Sequence, residues 1–237
     1  MMVEGSFPKT KIIMGHMTHR FCFNENFDSV KQLRHGVTKV TVHGMSAAEQ
    51  ADAYKEIDPQ ISILHGLCSV KDLQLSLSPF DEWLRYKLPE VIFNSVVEPV
   101  CALLDIRYKS LLKNKAAQRA MELLLSEIIR VIGRLPEIEG SYLIRSFLQG
   151  DTIHRALHKR ILSKKSQPSL LLRRVKSGLP TDVDYMNGFF LRRGKALGID
   201  TSMNNLVKDL INAKHASFIN KTESYVPLEQ MSELFGV

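Results

Sequence analysis

The sequence predicts a mixed α/β chain, with a β-rich N-terminal portion over residues 1–78 followed by an all-helical domain over 79–237. Three observations predict it. Before residue 45, short apolar runs are punctuated by glycine, as in strands. From Pro79 onward apolar residues recur at spacings of three and four almost to the end. Within that helical half, Pro180 to Gly198 (PTDVDYMNGFFLRRGKALG) reads as one helix with both of its ends written into the sequence.

In chain order, the first residues, MMVEGSFPKTKIIMG, lack a basic segment followed by an apolar one and are not an Arg-rich presequence. They read as the middle of a domain. Lys11 to Met14 is a short apolar strand followed by Gly15, and Lys39 to Val42, bounded by Gly36 and Gly44, alternates with period two. Phe27 to Leu33 is a weaker strand between them, and Ile61 to Leu64 and Leu73 to Leu77 each add a strand. Ser46 to Ile57 has helical composition and ends before Asp58-Pro59. Such a sheet has several edges and little helical cover, so a partner or further chain is expected to protect it.

The helical half opens with Trp83 to Leu104, interrupted by two prolines. Pro89 suits the first turn of a helix, so helix is expected to start there, whereas Pro99 is expected to kink or break it. Leu111 to Ile132 is a strong helix with Leu111, Leu124, Ile128 and Ile132 on its core stripe, ended by Gly133. Tyr142 to Ser163 is helical with a break at Gly150-Asp151, and Leu170 to Lys176 is a short basic helix stopped by Ser177-Gly178. In the stretch from Pro180, Thr181 is the expected N-cap, with Asp184 completing a capping box and Gly198 as the stop. Val183, Met186, Phe190, Gly194 and Leu197 share one face, and Gly188 and Gly194 are expected to admit another helix closely. Ser202 to Ala216 is the last helix, and Ser217 to Val237 is an irregular tail or short docking helix.

At 44% apolar and 24% charged the 237 residues suit a soluble globular protein, and no apolar run is long enough to cross a membrane. Cys22, Cys68 and Cys101 lack CxxC spacing, which points to reduced thiols in a cytoplasmic or mitochondrial setting. A net charge of +7 suits an anionic partner without choosing among nucleotide, nucleic acid and lipid. His154 and His158, four apart, lack a third ligand, so no metal is expected. His16 and His19 flank a strand end and are expected to bond locally. The cations Arg155, Lys159, Arg173, Arg174 and Lys176 are the candidates for holding RNA or another anion, if their two segments lie side by side.

The segment NSVVEPVCALLDIRYKSLL (94–112), followed by TDVDYMNGFF, resembles the C-terminal domain of ketopantoate reductases. Helices there carry the patterns KLxxNxxxNP and [P/R]TE[I/V]DxxNG. Ser6 to His43 is similar to the end of that family's nucleotide-binding domain, with MGHMTHR in place of GG-x-TTHG. The resemblance implies that the β-rich portion is a truncated remnant of a Rossmann-like domain and that the helical domain closes over a substrate. No GxGxxG loop is present, so no cofactor is expected in this chain; NADP is expected if it is a reductase.

Carried over residue by residue, the resemblance places the family's catalytic lysine on Glu90. A lysine there gives a proton to the keto oxygen, whereas an ionised glutamate repels the charge developing on it. Lys87 is the substitute if three residues are inserted, although a helix starting at Pro89 would leave it ahead of the wall. Asn94 is unchanged, Glu98 takes the place of the second asparagine, Leu170 that of a substrate-binding serine with Ser169 beside it, and Asp182 that of a glutamate. Glu98-Pro99, RYKSLL and NGFF also resemble a divergent fungal branch that includes mitochondrial activators of cytochrome b mRNA translation. The expectation is a non-catalytic binding factor, a homodimer through its helices, with a protein or RNA partner such as the mitochondrial ribosome or an mRNA. The alternative is an NADP-dependent 2-dehydropantoate 2-reductase or a fragment of one.

Overall fold

A computed structural model describes residues 12–44, 64, 66–165 and 167–223. The chain divides into two units, Met1–Leu88 and Pro89–Val237.

In the first unit, β1 (Ile13–Met17) pairs antiparallel with β4 (Thr38–Val42), which pairs parallel with β5 (Leu75–Leu77). A separate antiparallel hairpin joins β2 (Arg20–Phe23) to β3 (Val30–Arg34). Val40 and Val42 of KVTV bury with Leu64, but Thr41 between them is buried as well, so the apolar and polar alternation of β4 does not separate a buried from an exposed face. Several boundaries move. The first strand begins two residues later than expected; the expected strand from Phe27 begins at Val30, because Phe27 occupies a turn at φ 59°. The expected strand at Leu73 is shortened by a 3-10 turn, Lys71–Leu73. Leu64 is helical rather than extended, and the rest of that expected strand and the helix at Ser46 to Ile57 lie outside the described residues. The strand β2 has no apolar alternation and was not foreseen.

His19 holds the end of β1 to the segments beside it. Its Nδ1 accepts from Gly36 N at 3.1 Å, so Nε2 carries the proton and donates to Leu73 O at 3.0 Å. Gly36 is required there, since a Cβ would lie 2.4 Å from His19 N.

The helical elements are α1 (Phe80–Ile92), a π-helical turn (Phe93–Val97), α2 (Glu98–Leu104), α3 (Tyr108–Leu111), α4 (Lys115–Ile132), α5 (Tyr142–Leu148), α6 (Thr152–Ser163), α7 (Leu170–Lys176), α8 (Val183–Ala196) and α9 (Ser202–Glu223). In the second unit α2 and the π turn are central: α4 and α8 pack on the turn, and α7, α9 and α4 on α2. Ala102, Leu171, Leu172, Val175, Val183 and Ile211 form one cluster of that core.

Several helix ends follow the sequence. Gly150, Gly178 and Gly198 take positive φ at 63°, 63° and 64°, the stops expected for them. Leu124, Ile128 and Ile132 are buried on α4 and Leu111 on α3. Other ends do not. Helix begins at Phe80, with Pro89 inside α1, so Lys87 stands within the helix rather than ahead of it. The expected helix from Leu111 is two, α3 and α4, separated by a turn that Asn114 ends by accepting from Ala117 N at 3.0 Å. The last helix runs past Ala216 to Glu223, so the expected tail from Ser217 is helical as far as it is described. No helix of the described residues is long and apolar enough to cross a membrane.

Candidate functional site

Pro99 shapes the helical wall that the resemblance singles out. In a continuous α-helix the carbonyl of residue 95 would accept from the N–H of residue 99, and proline has none. The chain widens into a π turn, in which Glu98 N donates to Phe93 O, and then resumes as α2 with Pro99 in its first turn. Ser95 O is instead served by the side chain of Asn187 on α8, whose Nδ2 donates to it at 2.8 Å. The disturbance expected at Pro99, a kink or break, takes the form of a π turn, and the asparagine of the NGFF motif replaces the missing donor.

Asn187 Nδ2 also donates to Asn204 Oδ1 at 3.0 Å, and Asn204 Nδ2 donates to Glu127 Oε2 at 2.7 Å. Glu127 accepts from the Met203 and Asn204 N–H groups, each at 2.9 Å, and so caps the N-terminus of α9 with a negative charge. Ser95, Glu127, Asn187 and Asn204 are all buried. None was singled out from sequence; an NG pair inside a helix and an EP pair inside another were the available signals.

One turn from Ser95, Glu98 is buried and its carboxylate is fully engaged. Tyr108 OH donates to Oε1; Ser169 Oγ donates to Oε2 at 2.6 Å and Leu171 N to the same oxygen at 3.2 Å. Ser169 Oγ in turn accepts from Leu172 N at 3.1 Å, the N-cap of α7. The rings of Phe93 and Tyr108 lie 5.6 Å apart, with Lys164 Nζ 5.0 Å and the Arg160 guanidinium 5.2 Å from the Phe93 centroid.

The structure thus bonds Glu98 directly to Ser169. Glu90 and Asn94 are half-buried on α1 and the π turn. Asp182 is half-buried at the N-cap position of α8 with no capping bond from its side chain. The capping box expected from Thr181 is not formed: the helix starts at Val183, and Asp184 lies 3.9 Å from Lys208 Nζ. Nor does another helix press on the glycines of α8. A Cβ on Gly194 would meet Thr201 in the following loop at 2.7 Å, and one on Gly188 would meet Arg192 of the same helix at 3.2 Å.

The two basic segments have different main neighbours. The helix α6, with Arg155 and Lys159, packs on α3 and α5, whereas α7, with Arg173, Arg174 and Lys176, packs on α2 and α9. Lys176 is bound to Asp105 at 2.8 Å and Arg174 donates to Pro180 O at 3.3 Å, so part of that charge is used locally. Asp105 is held below the usual carboxylate range chiefly by its hydrogen bond from Lys176. His154 Nε2 lies 3.1 Å from Glu122 Oε2.

Burial, and secondarily Glu98, pushes the Cys101 thiol from 9.0 up to about 12. Burial and its bond to Glu98 also push Tyr108 up. Because the unfolded chain releases these protons first, stability from both groups is complete below the ordinary thiol value and declines as pH rises above about 9. The urea midpoint is expected to fall from pH 9 upward, and at pH 8 a thiol reagent should label exposed Cys22 at once and buried Cys101 only on unfolding.

Residues 82–215 match the family described as "Ketopantoate reductase PanE/ApbA C terminal". A 2-dehydropantoate 2-reductase of Aquifex aeolicus is 26% identical over 132 residues, which cover 55% of this chain and 40% of that one. Among solved structures, a probable 2-dehydropantoate 2-reductase from Bacillus subtilis is similar with a TM-score of 0.61 at 19% identity, over 90% of this chain and 65% of its own. A dimeric ketopantoate reductase from Staphylococcus aureus is similar with a TM-score of 0.56 at 13% identity, over 89% and 64%. The chain therefore spans from two fifths to about two thirds of the length of these relatives. On the match of its helical half, the chain belongs to the ketopantoate reductase family.

Proposed function

We propose that this chain keeps the helical ketopantoate-reductase domain as a binding module and does not deliver the proton of keto-acid reduction. Glu98 is the observation that carries this reading. At a position where the resemblance expects an asparagine facing the substrate, a buried carboxylate takes the Ser169 hydroxyl, the Tyr108 hydroxyl and the Leu171 N–H for itself. Those groups serve the fold and are spent for a ligand. Glu90, at the position expected for the lysine, does not bring the lysine's positive charge to the oxygen of a keto acid.

The partner class is an anionic macromolecule, supported by the net charge of +7, and a mitochondrial RNA or ribosome is its specific form in this proposal. The module pairs with a second copy, as the Staphylococcus aureus relative does.

A second reading, an NADP-dependent 2-dehydropantoate 2-reductase or a part of one, is favoured by the names of the relatives and by Lys87, which stands inside α1. NADPH oxidation by the purified chain with ketopantoate separates the two. No turnover above the protein-free rate is expected for the wild type. Turnover that disappears in Lys87→Ala, with the fold intact by circular dichroism, would establish the reductase reading instead.

A further inference from the structure

We infer that the groove between the first half of α4 and the antiparallel α6 binds the phosphate backbone of a nucleic acid. The inference holds whether or not the chain reduces a keto acid, and it rests on two segments far apart in sequence that the fold brings together.

From Ile106 to Met121 the chain contains five cations and no acid: Arg107, Lys109, Lys113, Lys115 and Arg119. From Thr152 to Ser169 it again contains five, Arg155, Lys159, Arg160, Lys164 and Lys165, and no acid. The helix α3 packs on both α4 and α6. A cavity of about 220 Å³ lies between α4 and α6, with Leu112, Gln118 and Met121 on one wall and Leu157, His158 and Ile161 on the other. His154, near the start of α6, faces Glu122 on α4, and Lys164, just past the end of α6, lies 5.9 Å from the Tyr108 ring on α3, which precedes α4, so α6 runs antiparallel to the first half of α4.

The cations stand outside the cavity lining, on the solvent faces of the two helices that flank it. Lys115 and Arg119 are exposed, four residues apart on α4; Arg155 and Lys159 are exposed, four apart on α6. Such a spacing is roughly 6 Å along a helix, so each bank presents two charges in line. Among the described residues none of the four has an acidic partner; Arg155 Nε donates to the Asp151 carbonyl at 3.4 Å. The acids at the margins are Asp151, which precedes α6, Glu122, which is taken by His154, and Asp105, which is taken by Lys176. Arg160 and Lys164 are turned inward onto Phe93 and Tyr108 and stiffen the α6 bank rather than adding to it.

Charge of one sign on two banks favours a polyanion. The choice of nucleic acid over an anionic membrane follows from the exposed apolar groups: Leu123 and Leu162 are the large exposed apolar residues on α4 and α6 among those described, too few to insert into a bilayer. No exposed aromatic residue lies on either bank, so bases are not stacked and binding is expected to be indifferent to sequence.

The test is fluorescence anisotropy of the full chain with a labelled single-stranded RNA of mixed sequence, roughly twenty nucleotides long. Saturable binding is expected at about 50 mM salt, weakening with a log–log slope of about −0.7 for each phosphate neutralised. The quadruple reversal Lys115→Glu, Arg119→Glu, Arg155→Glu, Lys159→Glu should weaken binding at least tenfold and flatten that slope. Reversal of Arg173 and Arg174 on α7 should change it less than about twofold. Thermal unfolding of each variant checks the fold, and single reversals at Lys115 and Lys159, each flattening the slope by about 0.7, keep the test decisive if the quadruple variant does not fold. Absence of saturable binding, equal losses from the α7 reversal, or displacement of the RNA by vesicles rich in anionic lipid would each overturn the inference.

Discussion

Replacing Asn187 by alanine is expected to cost roughly 2–4 kcal/mol of unfolding free energy, measured by urea titration. The side chain is fully buried and its amide nitrogen serves two acceptors, Ser95 O and Asn204 Oδ1. The first lacks its usual helical donor, since the residue four positions on is Pro99. Truncation deprives a buried carbonyl of this donor, loosens Asn204 in the first turn of α9, and leaves a cavity in the same region. A double-mutant cycle separates these effects. Pro99→Ala restores an N–H that can reach Ser95 O, so Asn187→Ala should cost at least about 1 kcal/mol less in that background. Equal costs in both backgrounds would show that proline and asparagine are not coupled.

That pair also marks the limit of what the sequence makes legible. The end of α7 at Ser177-Gly178, the break at Gly150 and the stop at Gly198 were readable because each depends on a glycine reaching positive φ, a local property. The core stripe of α4 was readable because periodicity along one helix reports its buried side. Asn187 is 92 residues from Ser95, and Ser169 is 71 from Glu98; no local pattern announces either bond. Pro99 was legible as a disturbance but not as a π turn, because the outcome depends on whether a distant donor reaches the orphaned carbonyl. Thr181 had the residue types of a capping box, yet the N-cap position falls one residue later, on Asp182, so propensity did not settle the end. In the first unit β2 escaped notice because all four of its residues are exposed, and an exposed strand has no reason to alternate.

The candidate site was legible in the same uneven way. Comparison by residue type located Glu98 and Ser169 one by one, each as a group facing a substrate, and gave no sign of the bond between them. Substitution at Glu98 therefore distinguishes a ligand contact from a structural one. Glu98→Ala is expected to destabilise the chain by about 3 kcal/mol or more, because three buried donors, Tyr108 OH, Ser169 Oγ and Leu171 N, lose their common acceptor. Glu98→Gln should cost no more than about 1 kcal/mol: its carbonyl can accept from Ser169 and Leu171 while its amide donates to the Tyr108 oxygen. Ser169→Ala falls between, at about 1–2 kcal/mol, through loss of the α7 cap and of one bond to the carboxylate. This order, alanine worst and glutamine mildest, requires the hydrogen-bonding shape of residue 98 and not its charge. Were Glu98→Ala as stable as the wild type, the carboxylate would be free to meet a ligand, and the reading of this domain as a binding module without keto-acid chemistry would lose the observation that carries it.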